Sequence, residues 1–353
     1  MALGQKVLKS ALEGVDFYCR KSDTKTLKKL AFFTGSKVGT TKASLRTSIT
    51  MQCALLQQLS DVRKKNGRLE VTAVDMGVEN FAYSRLSWKI SQPVPEIIDW
   101  NKIQLQNSTI GIVPTSVSFS PKYMARAAQT LTDILTKRPP DLFVIEKQRA
   151  RTMGSANIPD SILRVNALEH VLYTSLLAKR YYKELKYLLE ASDPRRMTDF
   201  WCQLIPVRRL LAATYGTDSP KLESKANSSN LSKLLKIELV KSVIFEDSAE
   251  MFTLSTDLQQ RVSSYQATNT KKKLNLFNAL DLGPGAGKAK EDDLADSLLH
   301  GLAWLKWLGN FEELSSIILA NPTDQAGLHA FNSFVKDKGI AHEHFSQSCI
   351  NKL

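Results

Sequence analysis

Acidic residues stand at three places in this chain where the surrounding sequence is apolar. Asp75 ends the segment VTAVD, and Glu146 ends the segment LFVIE. Three more acids, Asp292, Asp293 and Asp296, open the segment EDDLADSLLHGLAWLKWL. In a helix, Asp296 shares a face with Asp293 three residues before it and with Asp292 four residues before it. Carboxylates gathered against an apolar core repel one another unless a cation neutralises them.

Oxygen ligands without cysteine suit a hard cation, so these acids predict a site for Mg²⁺ in which Mn²⁺ can substitute. Two such ions, about 3.5–4 Å apart, activate water and stabilise a leaving 3′-oxygen in phosphodiester cleavage. Each acid alone has an ordinary explanation, as a turn residue or as a partner of the helix dipole. Their joint occurrence in a basic protein favours a site with two ions. His300, one turn beyond Asp296, either supports this site or only packs the helix.

These acids need a sheet and a helix to bring them together. The segment RLEVTAVDMGVENFAYSRLSW predicts two strands joined by a turn around residues 77–80, and EIIDW predicts a third strand. An amphipathic helix is predicted over 121–137. The apolar run DLFVIE predicts a strand buried on both faces, as in a parallel sheet. Helical structure, either continuous or broken once, is predicted over 161–189, and a long helix is predicted from Glu291 onward. The order of these elements indicates a mixed α/β sheet flanked by helices.

The charge balance narrows the class of partner. The 353 residues carry 48 Lys and Arg against 35 Asp and Glu, a net charge of +13. Such an excess suits a polyanion, most often nucleic acid. No apolar run approaches the roughly 20 residues that cross a bilayer. The four cysteines are scattered, which argues against a zinc ribbon or a disulfide framework.

Over half of the net charge lies in residues 20–46, where eight basic residues face one acid. A helix is predicted from Thr24 to Phe33 with Asp23 as its N-cap, and a second helix is capped by Thr40 or Thr41. This basic helix–turn–helix segment resembles the SAP module, a small DNA-binding motif. An ordinary basic helical hairpin is the alternative.

Several longer segments resemble the fungal mitochondrial Holliday-junction resolvases, eukaryotic relatives of bacterial RuvC within the RNase H-like superfamily. The segments are AVDMGVENFAYS, FVIEKQRARTMGS and EDDLADSLLHGLAWLKWL, with DPRRMTDFWC in addition. The resemblance covers residues 68–308. It implies an RNase H-like sheet and assigns the metal to Asp75, Glu146, Asp296 and one of two neighbours. Asp293 is favoured for this last position, and Asp292 stays a candidate.

The segment after Glu146 is predicted to contact DNA. Guanidinium groups beside a reacting carboxylate can hold phosphates through two parallel hydrogen bonds. Met153 is expected either to pack in the core or to wedge into the DNA at the centre of a junction. The predicted DNA-binding residues are Lys147, Gln148, Arg149, Arg151, Met153, Arg195, Arg196, Lys271, Lys272, Lys273, Lys28, Lys29 and Lys42. Asn80 and Ser84 are expected to orient the metal site or a phosphate, and Gly77 to permit a tight turn.

The predicted domains are a helical SAP-like module over 1–55, an RNase H-like domain over 66–310 and a helical extension over 311–353. Helical and loop insertions are expected at about 161–290. A loop or an insertion is predicted at 216–233, a second polar stretch lies at 263–273, and a flexible, basic segment is predicted at 283–290.

The resulting prediction is a Mg²⁺-dependent endonuclease that resolves four-way DNA junctions by paired symmetric nicks. The resemblance implies a homodimer, whose two-fold symmetry matches the junction, and a mitochondrial location. The apolar helix over 161–189, with Leu163, Leu168, Val171, Leu172, Leu176 and Leu177, supplies either the interface or only core. Neither a membrane nor a nucleotide cofactor is expected. The alternatives are another RNase H-like nuclease and a non-catalytic junction-binding or DNA-packaging protein.

Overall fold

Residues 10–77, 80–105, 120–148, 160–203, 231–245, 251–269, 275–283, 286, 290–321 and 323–351 are described by a computed structural model. The strands are β1 (Arg68–Asp75), β2 (Phe81–Lys89), β3 (Glu96–Ile103), β4 (Leu142–Glu146), β5 (Leu188–Ser192) and β6 (Thr253–Leu254). The helices are α1 (Ala11–Lys21), α2 (Thr24–Thr34), α3 (Lys42–Asn66), α4 (Pro121–Thr136), α5 (Asp160–Tyr182), α6 (Pro194–Cys202), α7 (Leu231–Phe245), α8 (Thr256–Thr268), α9 (Leu276–Ala279), α10 (Glu291–Ala320) and α11 (Gln325–Asn351). None of the helices in these ranges has the length and apolarity needed to cross a bilayer.

The chain divides into two compact units. The sheet unit consists of Arg68–Pro194 and Lys236–Gly301, and the helical unit of Met1–Gly67, Arg195–Leu235 and Leu302–Leu353. Helices α7 and α10 therefore each contribute residues to both units.

Six strands form one mixed sheet in the order β5-β4-β1-β2-β3-β6. The hairpin β1–β2 and the pair β2–β3 are antiparallel, whereas β4 lies parallel to both β1 and β5. Strands β1 and β2 confirm the predicted hairpin. Strand β3 confirms the predicted third strand, and β4 confirms the predicted buried parallel strand. This is the mixed sheet that the sequence predicts.

Side chains alternate between the two faces of the sheet. One face, which includes Val74, Tyr83 and Phe143, packs against α4 and α5 in a buried core. The guanidinium of Arg85 donates hydrogen bonds to the carbonyls of Ile134, Leu135 and Arg138, at the end of α4. These bonds satisfy carbonyls that a helix end leaves without a partner.

The first half of α10 packs on the opposite face. A Cβ atom added at Gly301 would lie 2.5 Å from Leu86 Cδ1 and 3.1 Å from Ala73 Cβ. The helix can therefore approach the sheet this closely only with glycine at that position. Ser84 Oγ donates to the carbonyl of Ser297 at 3.0 Å, which anchors the same helix on β2.

Gly301→Ala is expected to lower the free energy of unfolding by about 1–3 kcal/mol, because the added methyl group overpacks the contact with Ala73 and Leu86. Gly339→Ala, within α11, is the matched control. The nearest atom to its added Cβ is 4.0 Å away, so this change should stabilise by up to about 1 kcal/mol through helix propensity. Denaturant titration of both variants measures the effect, and equal stabilisation by the two changes would contradict the close approach.

The helical unit confirms the predicted N-terminal helices. Asp23 caps α2 by accepting the backbone N–H of Thr26, and Thr41 caps α3 by accepting that of Ser44. Gly35 ends α2 in the left-handed conformation. Helices α2 and α1 pack against α3 and α11, as the stacked rings of Tyr18 and Phe331 illustrate. The SAP-like identity of this segment and the domain boundaries at 55, 66 and 310 stay predictions.

The helix predicted over 161–189 is wrong at its end. Helix α5 ends at Tyr182, and Glu184 adopts a left-handed φ of 51°. Residues Leu188–Ser192 then form β5, because pairing with β4 satisfies their backbone groups and overrides the helical pattern.

Two of the polar segments partly form helices, which corrects the end of the loop or insertion predicted at 216–233. Ser263–Thr268 belong to α8, because Leu258 and Val262 give that helix a buried side. Residues 231–233 belong to α7, whose Leu235 and Leu239 are buried. The remaining parts of these segments, 216–230 and 270–273, lie outside the described residues, as does most of 283–290.

Candidate active site

Asp75 and Glu146 meet at the carboxyl ends of adjacent parallel strands. The register pairs Val74 with Ile145, so the next residues, Asp75 and Glu146, stand side by side on the α10 face. Their carboxyl groups share a hydrogen bond. Burial, followed by the negative charge of Glu146, raises the pKa of Asp75 well above its ordinary range. Two buried carboxyls this close repel one another when both are ionised, so a cation placed between them would stabilise the pair.

A single row of residues crosses the sheet at this level. Strand pairing aligns Ser192 with Glu146 and Asp75 with Ala82, and it aligns Ala82 in turn with Lys102. Two acids thus lie between a serine on β5 and a lysine on β3, with the small alanine leaving room on β2. All of these side chains share one face, because residues paired directly across strands point the same way.

Helix α10 brings its acids over this row. Trp100 Nε1 donates to the carbonyl of Leu294 at 3.1 Å, which joins the start of the helix to β3. Together with the bond from Ser84 to Ser297, this fixes the helix above the strand ends. The charges of Asp293 and Asp296 both raise the pKa of Asp75, so the two helical acids lie close to the strand acids.

Two buried lysines contact the helical acids. Lys102 Nζ lies 2.8 Å from Asp293 Oδ2, and its side chain is 0% exposed. Lys236, on α7, forms an ion pair with Asp296, and its side chain is 9% exposed. Burial raises the pKa of Asp296 to about 6 in spite of the opposing charge of Lys236. Burial likewise raises the pKa of Asp293, against the hydrogen bond from Lys102.

The first two acids of α10 differ in their surroundings. Glu291 Oε1 lies 2.7 Å from Lys241 Nζ and accepts the backbone N–H of Leu276, so this side chain has a structural role. The negative charge of Asp292 raises the pKa of Asp296. Both Asp292 and Asp293 therefore remain candidates for the fourth ligand position.

His300 joins α10 to the end of the row. Its Nδ1 lies 2.7 Å from Ser192 Oγ, and both residues are buried. Burial lowers the pKa of His300 to about 4 against the opposing charge of Glu146, so the ring is neutral at neutral pH. The Nε2 atom is buried without a hydrogen-bond partner. His300 thus positions the helix against β5 beside Glu146.

The donor chemistry fits a hard divalent cation, since the acids that converge here offer only oxygen atoms. Among the described residues, however, no three acidic, histidine or cysteine side chains already enclose a position for a metal ion. Lysine ammonium groups stand against two of the four acids instead. Asp75, Glu146, Asp296 and one of Asp293 or Asp292 are the residues that would hold the metal.

The predicted DNA-binding residues fall into separate groups. Lys147 is exposed and Gln148 half-buried, and both directly follow β4, beside the acid row. The backbone N–H of Gln148 donates to Glu169 Oε2 at 3.3 Å, which holds the chain as it leaves the strand. Arg149, Arg151, Met153, Lys271, Lys272 and Lys273 lie outside the described residues.

The other predicted DNA contacts belong to the helical unit. Lys28 and Lys29 are exposed on α2, and Lys42 is exposed at the start of α3. Arg195 is exposed and lies 3.7 Å from Asp199, whereas Arg196 donates a hydrogen bond to the carbonyl of Gly35. Lys42 Nζ also donates a hydrogen bond to the carbonyl of Arg20 at 3.3 Å, so three of these five cations have partners within the fold.

Sequence reasoning missed Lys102, Lys236 and Ser192 as parts of this site. Lys102 lies two residues after Trp100 on β3, so both side chains point to the same face of the sheet. A lysine that shares a face with a tryptophan in this way indicates a buried charge. Lys236 carried no local signal, because α7 is separated from α10 by almost fifty residues. Ser84 and Gly77 serve the local structure, since an added Cβ at Gly77 would lie 2.3 Å from the carbonyl oxygen of Asn80.

The chain is similar in sequence and in fold to known proteins. A family model described as "Mitochondrial resolvase Ydc2 / RNA splicing MRS1" matches residues 71–314. "Cruciform cutting endonuclease 1, mitochondrial" of Saccharomyces cerevisiae is 34% identical over 333 residues, which cover 90% of each chain. The Mitochondrial RNA-splicing protein MRS1 of the same yeast is 23% identical over 97% of this chain and 96% of that protein. The crystal structure of the yeast mitochondrial Holliday junction resolvase Ydc2 matches with a TM-score of 0.50 and 22% identity, over 84% of this chain and 98% of that one.

Proposed function

Because this chain belongs to the family of the mitochondrial resolvase Ydc2 and the RNA-splicing protein MRS1, we propose that it is a mitochondrial endonuclease that cuts four-way DNA junctions. The observation that carries this function is the hydrogen-bonded pair of Asp75 and Glu146 beneath the acids of α10. Such a set of acids is needed for cutting and not for binding DNA. The RNase H-like sheet and the 34% identical cruciform-cutting relative support the same activity.

The cleavage is proposed to depend on divalent metal, with Mg²⁺ as the natural ion, Mn²⁺ as a substitute and two ions in each site. When bound, these ions polarise the scissile phosphate and lower the pKa of the attacking water. Asp75, Glu146 and Asp296 would hold them, with Asp293 or Asp292 as the fourth ligand. Lys147 follows Glu146 directly and would hold a neighbouring phosphate.

A four-way junction and its two cuts are related by two-fold symmetry, and a homodimer supplies two sites with the same symmetry. Helix α5 is proposed as its interface. Leu168, Leu172 and Leu176 are buried in the core, but Leu163 and Leu177 are each 43% exposed and Tyr181 is 78% exposed. Positions 163, 177 and 181 are spaced by whole helical turns, so these side chains form one exposed apolar face.

The first test is cleavage of a synthetic four-way junction, with a linear duplex of matched sequence as control. The wild-type protein should make paired, symmetric nicks in the junction with Mg²⁺ and none with a chelator. The linear duplex should stay intact. Junction binding without cutting in any divalent metal would contradict the nuclease and favour a binding protein, and binding of structured RNA would then direct attention to the splicing relative.

Leu177→Asp with Tyr181→Asp should convert the dimer into a monomer, because two charges placed in an apolar interface stay unpaired. Light scattering after size exclusion measures the mass, and circular dichroism checks that the fold is retained. Leu319→Asp is the matched control, because it places the same charge on an exposed leucine of a different helix. Leu319 is 58% exposed and belongs to α10, outside the proposed interface. A dimer that survives the double change would place the interface elsewhere.

A further inference from the structure

Lys236 and Lys102 occupy equivalent chemical positions but differ in their freedom to move. Each contacts one of the two helical acids nearest the strand acids. Lys102 lies within the sheet on β3, with no exposed side-chain surface, and its ammonium also lies 3.4 Å from the carbonyl oxygen of Lys290. Lys236 lies on α7, and its side chain retains 9% exposure.

This difference in side-chain exposure determines which of the two lysines can move away from its carboxylate. An ammonium group that moves away from a carboxylate needs another partner or water, since an unpaired buried charge is costly. The side chain of Lys236 is largely buried but keeps a small solvent-exposed edge, so rotation of its flexible stem gives the ammonium a path to water. Lys102 has no such path, because its side chain is 0% exposed.

The acids need positive charge whether or not metal is bound. In the metal-free protein, the ammonium groups of Lys102 and Lys236 supply this charge to Asp293 and Asp296. Asp296 is one of the residues that would hold a divalent cation, and the Lys236 ammonium already contacts its carboxylate. Both cations cannot occupy the place beside that carboxylate, since like charges at such short distance repel strongly.

We propose that Lys236 is an internal competitor for divalent metal, whose ammonium leaves Asp296 when the metal binds, while Lys102 remains with Asp293. The inference rests on the proposed metal site and adds a regulating residue to it. Lys236 holds the helical acid in place before the metal arrives and lowers the affinity of the resting site for metal. Release of this lysine into solvent beside the site then places a cation where a DNA phosphate would enter.

Metal titration in the absence of DNA tests the competition. Lys236→Met keeps an unbranched side chain and removes the charge, so Mn²⁺ measured by calorimetry should bind about 10- to 100-fold more tightly than to the wild type. Lys241→Met is the matched control, because Lys241 lies on the same helix, is equally buried and pairs with Glu291 at 2.7 Å. Its Mn²⁺ affinity should equal that of the wild type. Lys236→Arg, which keeps the charge, should also bind like the wild type.

Lysine labelling of the wild-type protein provides a second readout that needs no variant. Acetylation by an activated ester, followed by mass spectrometry, should label Lys236 several-fold faster in saturating Mg²⁺ than in a chelator. Lys102 and Lys241 should stay protected in both conditions. This measurement decides the question even if Lys236→Met fails to fold.

The outcomes separate this inference from the function on which it rests. Wild-type protein that binds no Mn²⁺ would overturn the metal site itself. Wild-type protein that binds Mn²⁺ with the same affinity as Lys236→Met, and that shows no change in Lys236 labelling, would overturn the competition and leave the metal site intact.

Discussion

Asp75→Asn is expected to lower the rate of junction cleavage by at least about 100-fold, because the amide removes a charged ligand from the centre of the acid row. Junction binding measured in a chelator should change by less than about threefold, since affinity comes mainly from contacts between basic side chains and phosphates. Asp99→Asn is the matched control. Asp99 lies on β3 of the same sheet and accepts a hydrogen bond from Tyr83 Oη on the opposite face.

The same substitution should stabilise the metal-free protein, which a merely disruptive change would not do. Burial and the charge of Glu146 raise the pKa of Asp75 above the unfolded value of about 3.8, so folding retains a proton that the unfolded chain releases. This carboxyl therefore costs stability that grows as the pH rises above about 4. In a chelator at pH 8, Asp75→Asn should melt a few degrees above the wild type, and the difference should vanish near pH 4.

Added Mg²⁺ should raise the melting temperature of the wild type and not that of Asp75→Asn, because only the carboxylate exchanges its proton for the metal. Cleavage by Asp75→Asn at the wild-type rate would remove Asp75 from the reaction. A lower melting temperature of Asp75→Asn in chelator at pH 8 would show that the acid pair is a net source of stability.

Lys102→Met should lower the free energy of unfolding by about 2–3 kcal/mol in a chelator, because it leaves the half-buried Asp293 carboxylate without its cation. The double variant Lys102→Met with Asp293→Leu should recover most of this loss, since an apolar pair of similar volume replaces a desolvated ion pair. Denaturant titration of the two single variants and the double variant gives the coupling between them.

Lys179→Met is the control for Lys102→Met. Lys179 pairs with the largely exposed Asp133 across α4 and α5, and an exposed pair contributes at most about 1 kcal/mol. A loss for Lys102→Met as small as that for Lys179→Met would mean that the Lys102 pair is not desolvated. Coupling close to zero would mean that Lys102 stabilises the sheet through packing of its stem alone.

Local patterns in the sequence determined most of the elements that carry the site. Alternation of apolar and polar residues predicted the β1–β2 hairpin, and the continuous run LFVIE predicted a buried parallel strand. Both signals are local, because side-chain direction alternates along any strand and a strand covered on both faces excludes polar residues. The cap residues Asp23 and Thr41 are local signals of the same kind.

Other features have no local signal. Leu188 and Leu189 fell within the helical prediction, and their pairing with the edge of β4 explains why they belong to a strand instead. The sequence likewise does not show which side of α5 is buried, because leucines lie on both sides of the helix. Packing against the sheet selects Leu168, Leu172 and Leu176 for the core.

The amino-acid sequence by itself determined which acids this protein brings to its site. Five carboxylates next to apolar segments, at two strand ends and at the start of a helix, form a pattern that the sequence shows directly. Only the tertiary structure decided what neutralises them. Strand register places Lys102 in the row of Asp75, and α7 brings Lys236 to Asp296 from sixty residues away in the sequence. The attraction between opposite charges depends on their distance in space, over a few ångströms. The separation of two residues along the chain therefore does not predict it.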